Sequence, residues 1–407
     1  MILIVGKHFK GLRDYLQQVG IEQFLLCDEH VGELHAKSQD IDYKMCNFES
    51  RASIETSIKE LEGKITAVVT IYENYVLPSA WIADSLHANG LPIVSAEACT
   101  DKDLMRQLFA QSEESISPDF TVVEDKEQLI AFADNHEFPL VLKPANLAKS
   151  LLVTTCNTKE ELLKTYDSNI AEIDGIYKQY APHRKPKLIV EEYLNGSVHS
   201  VDAFVDGDGE PHILEAIVDY QTGHDIGYND NFHYSRVIPS SLTLEQQEKL
   251  THVAKLGVKA LKMKYSAAHI EIIMTANGPK IVEIGARNGG YRPRMHKLAN
   301  DINIYEQLIN TLTDKPIMAS SGKHDGCAVL ELFPKTPGTF TKLHNIDELK
   351  RLESFTYLSL KVKPGVHVGL SSQGHKACAV IILHNTSISQ FKADLEYVNS
   401  NVYIKTD

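Results

Sequence analysis

Ala267-Ala-His-Ile-Glu-Ile-Ile-Met-Thr-Ala-Asn-Gly-Pro-Lys-Ile-Val-Glu-Ile-Gly-Ala-Arg-Asn-Gly-Gly290 is the stretch on which the reading of this chain turns. Alternation over residues 267–274 puts His269, Glu271 and Ile273 on one face of a strand, and Lys280–Ile284 reads as the return strand of a hairpin. An odd-length loop centred on Asn277 sets Glu271 directly opposite Glu283. A two-residue Asn277-Gly278 turn shifts the pairing by one and sends the carboxylates to opposite faces. The sequence permits both registers. Facing each other at roughly 5 Å, two carboxylates repel unless a cation or proton lies between them. A hard divalent ion answers that need: Mg²⁺, with Mn²⁺ as a substitute, commonly bridges carboxylates to nucleotide phosphates. The plain alternative is a pair of solvated strand carboxylates.

The residues after Glu283 bear on that choice. Arg287 follows four positions later, inside Gly285-Ala-Arg-Asn-Gly-Gly290, a glycine turn that leads toward a helix. A guanidinium beside a metal–phosphate centre can neutralise charge on a transferred phosphoryl group or an acyl-phosphate. Asn288 can add a neutral oxygen to the metal. An ordinary strand-to-helix turn accounts for the glycines but not for the cluster Arg287, Arg292 and Arg294.

Working toward the N-terminus, Leu188-Ile-Val-Glu-Glu-Tyr-Leu194 ends at the turn Asn195-Gly196, and Pro139-Leu-Val-Leu-Lys-Pro144 is a strand closing on Lys143. Thr100-Asp-Lys-Asp103 is a capping-box-like helix start carrying Lys102 and, one turn on, Arg106. Lys102 and Lys143 are point charges suited to phosphate oxygens. Taken singly, each lysine is more often a surface lysine, and Val190–Leu194 merely an edge strand.

The first ~95 residues alternate strand-like runs (2–5, 24–26, 65–71, 91–94) with helical periodicity at Leu12, Tyr15, Leu16 and Val19 and around Pro78–Ala88. That alternation predicts a doubly wound parallel sheet. Gly6-Lys-His-Phe-Lys-Gly11 after the first strand lacks the close glycine pair of a dinucleotide loop. Further on, Gln221–Ser235 reads as a polar, aromatic loop facing a ligand. Thr243–Gln246 caps a helix running to about Met263, and a helix is expected over 291–311. Strand-like runs at 327–333, 357–363 and 377–383 predict a small C-terminal α+β module.

The order of these pieces, helix Lys, strand Lys-Pro, Glu-Glu-Tyr-Leu-x-Gly and paired-strand Glu…Glu-x-x-x-Arg, resembles the ATP-grasp superfamily. The resemblance implies an ATP-grasp domain over 96–315 with a lid at about 115–195, a preceding α/β domain over 1–95, and a C-terminal module over 320–407. It implies that Lys102 and Lys143 contact ATP phosphates and that Glu191, Glu192 and Leu194 lie in the adenine segment. It further implies that Glu271 and Glu283 hold magnesium and that Arg287 stabilises an acyl-phosphate. Val282–Gly290, Phe333-Pro334 and Pro364-Gly-Val-His367 look most like L-amino-acid ligases, which join a carboxylate to an amine with release of ADP and phosphate.

Three positions depart from the superfamily pattern. The lid segment Ala145–Val153 contains no glycine, so Ser150 or Lys149 would take over the phosphate grip. Gly285 stands where many members place a metal-binding Asn. Val198 stands at the usual ribose-binding acid, with His199 beside it. Arg292, Arg294, His224, His233 and His296 are candidates to border the substrate. The expected partners are a small carboxylate and a small amine. A catalytically weak nucleotide-binding regulator, or a ligase or carboxylase for a carboxylate that is not an amino acid, is the rival reading.

Bulk properties describe an ordinary soluble globular protein rather than a disordered one: 407 residues, 43% hydrophobic, 23% charged. A formal charge of −13 argues against nucleic-acid or anionic-membrane partners. The six cysteines show no zinc spacing, which with the absence of a basic leader pattern predicts a reducing, cytoplasmic setting. A homodimer is expected by the same resemblance.

Overall fold

The computed structural model describes residues 1–147, 151–180, 184–228, 230 and 232–407. Its N-terminal sheet is parallel, in the order Tyr43–Cys46, Gln23–Asp28, Ile2–Gly6, Ala67–Val69. The first strand is buried throughout, so its alternate residues serve two cores. Ile2 and Ile4 pack with Leu12 and Leu16 on one face; Leu3 and Val5 pack with Ile54, Ile58, Ile82 and Leu86 on the other. Helix Ile304–Leu312, from late in the chain, joins the first of these faces. Leu91–Val94 does not form the expected strand. Asn89 alone bridges to Ala67, and beyond Pro92 the chain turns into helix Ile93–Thr100. Proline fits a helix start because the first turn needs no amide hydrogen from it.

A second sheet, of four antiparallel strands, orders Phe120–Val123, Leu188–Glu192, Leu140–Pro144 and Thr154–Cys156. Helices Lys126–Asn135 and Lys159–Tyr180 cover one face of it through Leu129, Phe132, Leu162 and Tyr177. From strand Leu188–Glu192 the chain passes directly into Gly196–Val205, the first strand of a nine-stranded sheet. In that sheet Gly278–Gly285 lies at one edge, followed by Ser266–Thr275, Gly196–Val205, Val218–Thr222 and His233–Ile238. Gly326–Leu332, Ala379–Asn385 and Phe355–Leu360 continue it, so strands from the segment after 320 extend the same surface.

One face of the large sheet packs Val201, Ala203, Ile270, Ile272, Ile281 and Ile284 beneath helix Leu244–Ala260. That helix starts with the expected Thr243–Gln246 capping box. The other face carries helix Arg292–Asn300 and the polar residues described below. The helix expected over 291–311 is two helices, because Asp301 takes φ 53° and Asn303 caps a new start at Tyr305 Nα. Part of the expected loop Gln221–Ser235 is strand, ending at Thr222 and resuming at His233. Helix Lys102–Phe109 is capped by Asp101 rather than by a Thr100 box, since the Asp101 carboxylate accepts from Asp103 Nα at 3.0 Å.

Among the described residues no helix is long and apolar enough to cross a membrane, and all six cysteines are buried thiols.

Candidate active site

The hairpin resolves the register question by a route that local reading does not supply. Its loop is the two residues Ala276-Asn277, since Thr275 pairs with Gly278 and Ile272 with Ile281. Continued unchanged, that register would set Glu271 against Val282. A bulge between Glu271 and Ile272 adds one residue on the return strand, and Glu271 comes opposite Glu283. Arg106 Nη2 donates to the Val282 carbonyl at 2.7 Å, so the bulged residue's acceptor is satisfied from a helix 176 positions away.

Both carboxyls titrate below the ordinary glutamate range. For Glu283 the Lys102 ammonium, 2.7 Å away, outweighs burial and the charge of Glu271. For Glu271 burial opposes ionisation, but the His269 ring, 3.6 Å away, and the charges of His233 and Arg287 overcome it. Two ionised carboxylates at one point of a sheet form an oxygen donor set, and Asn288 follows on the segment that leaves the second of these strands. The Asn288 Nδ2 is buried without a partner among the described residues. No group of three or more Asp, Glu, His or Cys side chains converges among the described residues. The set therefore fits an ion that keeps water or phosphate oxygens in several positions, as Mg²⁺ does, and does not fit an all-protein cage.

The lid lysine arrives from the second sheet. Lys143 and Glu191 project from the same face of neighbouring strands and form a buried ion pair. Arg106 Nε and Nη2 reach the other Glu191 oxygen at 3.3 Å. Burial, offset only in part by Glu191, brings the Lys143 pKa down to about 8. Lys102 Nα donates to the Ala145 carbonyl at 2.8 Å, which ties the end of the lysine strand to the helix carrying the second cation. Arg184 Nη1 holds the start of the glycine-free segment through the Asn146 carbonyl at 2.6 Å. Ser150 and Lys149 lie outside the described residues. Glu192 ends its strand and Leu194 lies in the crossover between the two sheets, both half-buried.

Strand pairing places Ser200 beside Glu271 and Asp202 beside His269, all on the glutamate face. Asp202 is the hub there. Its carboxylate meets His269 Nδ1 at 2.7 Å, Arg292 Nε at 3.0 Å and His296 Nε2 at 3.3 Å. Arg292 Nη2 also donates to Ser200 Oγ at 2.8 Å and Tyr220 Oη at 2.6 Å. Arg292 is therefore engaged within the fold. Arg294 is exposed and stacks on Tyr357 at 4.2 Å. His233 packs 4.5 Å from the Tyr220 ring and lies in the field of Glu271. His224 is exposed on a one-turn helix, its Nδ1 on the Tyr228 carbonyl. His199 points to the opposite face, toward Asp219 at 2.8 Å and Ser197 at 2.6 Å. Arg287 is held by Glu73, from the N-terminal region, at 2.8 Å.

Burial opposes charge on His269, but Tyr220, the Asp202 carboxylate and the nearby Glu271 carboxylate push its pKa up to about 10. The unfolded value is about 6.5, so the stabilisation is complete below that pH and is lost as pH rises toward 10. Wild type is expected to lose about 1.4 kcal/mol of stability per pH unit relative to His269→Gln between pH 7 and 8. Above pH 8 the depressed Lys143 adds a slope of the opposite sign to both proteins, which cancels in their difference. Urea titrations at several pH values check this, and parallel curves for the two proteins would refute it.

A parallel N-terminal sheet, an antiparallel lid and a large sheet presenting paired carboxylates together make the ATP-grasp fold, and residues 136–293 match the ATP-grasp domain family. The chain contains an ATP-grasp domain. Phosphoribosylamine–glycine ligase of Phenylobacterium zucineum is 24% identical, over 66% of this chain and 66% of its own length. Alanine–anticapsin ligase of Bacillus subtilis is 27% identical, over 55% of this chain and 49% of its own. The chain thus spans between half and two thirds of the length of these curated relatives. The crystal structure of L-amino acid ligase from Bacillus licheniformis superposes with a TM-score of 0.77 at 17% identity, covering 100% of this chain and 98% of that one.

Proposed function

We propose that this chain is an ATP- and Mg²⁺-dependent carboxylate–amine ligase that takes an amino acid or a similar small acid. The observation that carries the reading is the bulge-set pairing of Glu271 with Glu283, flanked by Lys102 and Arg287 on the face of a sheet that a lysine-bearing lid overhangs. The working units are residues 1–95, 96–315 and 320–407, with cytoplasmic location and a homodimer as further expectations.

In this reading Glu271, Glu283 and Asn288 hold the metal, which supplies charge neutralisation to the phosphates. Lys102 and Lys143 contact phosphate oxygens, and Glu191 holds Lys143 on the lid until nucleotide arrives. Glu192, at the end of its strand, and Leu194, in the crossover, border the adenine. A substrate carboxylate oxygen attacks the γ-phosphorus, the bond to ADP breaks, and Arg287 faces the charge on the phosphoryl oxygens. The amine nitrogen then bonds to the acyl carbon and gives up a proton, while the carbon–oxygen bond breaks and phosphate leaves. The names of the relatives, two of them amino-acid or glycine ligases, support the substrate class.

A phosphate-release screen of paired amino acids and small amines with Mg·ATP tests the proposal. Release that requires both an acid and an amine is the expected result. Nucleotide binding with no substrate-dependent release from any pair would overturn it in favour of a regulatory nucleotide binder. A requirement for bicarbonate would turn it into a carboxylase.

A further inference from the structure

Arg236 was not singled out by sequence reading, yet it stands on the same sheet face as the paired glutamates. It lies directly across from Tyr220, in register on the adjoining strand. Its guanidinium lies within cation–π range of two rings, 5.8 Å from the Tyr220 centroid and 5.4 Å from that of Tyr291. One nitrogen, Nη1, is anchored to Glu331 at 2.8 Å and to the His233 carbonyl at 3.1 Å. Tyr291 Oη donates to the other Glu331 oxygen at 2.9 Å, which locks the anchor in turn.

The three arginines near this face thus differ in what they have left to offer. Arg292 has its Nε on Asp202 and its Nη2 on Ser200 and Tyr220, and it is fully buried. Arg294 is exposed over Tyr357. Arg236 keeps Nε and Nη2 without a hydrogen-bond partner among the described residues, and 13% of its side chain is open to solvent. A guanidinium fixed at one nitrogen and flanked by two tyrosine rings at cation–π range is pre-organised to take a carboxylate through its remaining donors.

We propose that Arg236 binds a substrate carboxylate other than the one being activated, so that the substrate pair carries two carboxylates and the product keeps one. This rests on the ligase reading above and narrows its substrates to pairs such as two amino acids. Glu331 and Tyr291 are positioning residues, and through Glu331 the strand Gly326–Leu332 takes part in substrate choice.

The test compares carboxylates with their carboxamides. With the amino-acid pair that gives most phosphate release, Arg236→Gln raises KM for the partner bearing the free carboxylate tenfold or more. The change in kcat stays within threefold, KM for ATP is unmoved, and the carboxamide of that partner is used equally by both proteins. Arg236→Lys, which keeps the charge but not the fork, falls between them. Equal losses on acid and amide would overturn the proposal. A binding arm separates this failure from failure of the ligase reading. Calorimetry of L-alanine and L-alaninamide, with magnesium and a non-hydrolysable ATP analogue, is expected to favour the acid in wild type, to lose that preference in Arg236→Gln and to keep part of it in Arg236→Lys. Equal or absent binding of the two probes overturns the site, whether or not any pair turns over. Thermal melting of each variant confirms that it is folded.

Discussion

Glu283→Gln is expected to lower substrate-dependent phosphate release by about 10³-fold or more. The change keeps shape and removes one negative charge from a site whose other carboxylate, Glu271, sits directly across the hairpin. Loss of a hard-cation ligand forfeits several kcal/mol of charge stabilisation at the phosphoryl group, and about 4 kcal/mol corresponds to 10³ in rate. The same substitution frees Lys102 from its 2.7 Å partner, so nucleotide affinity is expected to fall much less than turnover. Steady-state kinetics with a titration of magnesium check this. Near-wild-type turnover at ordinary magnesium would remove the pair from the chemistry and with it the proposed function.

Asp202→Ala carries the largest expected effect on stability. A single buried carboxylate there faces His269, His296 and the fully buried Arg292. Removing it strands at least one cation in a low-dielectric setting, a change that costs about 3–5 kcal/mol when one partner of a buried pair is deleted. Asp202→Asn keeps an acceptor oxygen and is expected to lose less. Urea denaturation of the two variants and wild type gives the comparison. A loss under about 1 kcal/mol for the alanine variant would mean that Glu271 alone can carry the charge of this cluster.

Much of the site's composition was legible in one dimension. The period-two alternation around His269 and Glu271, and the spacing of Glu283 and Arg287, are local properties that a strand expresses wherever it is placed. Lys143 at the end of a short apolar run and Lys102 beside a helix cap were legible for the same reason. The pairing of Glu271 with Glu283 was not, because it depends on a two-residue turn and a compensating bulge, and either alone would separate the carboxylates. Arg106 was visible as a helix residue, but its contact with Glu191, 85 positions on, was not. Glu73 reaches Arg287 across 214 positions, with no local pattern to announce it.

The local chemistry of this protein, its strand faces, helix caps and the inventory of carboxylates and cations, was determined by its sequence alone, because those features depend on neighbours a few residues apart. Which cation is engaged and which keeps free donors was decided only by tertiary structure. Arg292, a candidate substrate ligand by sequence, is ion-paired with Asp202, while Arg236, with no local signal, lies near two tyrosine rings with Nε and Nη2 unpartnered among the described residues. Such assignments depend on which distant groups share a buried volume. There each unpaired charge is costly, and the packing of the whole chain chooses the partners.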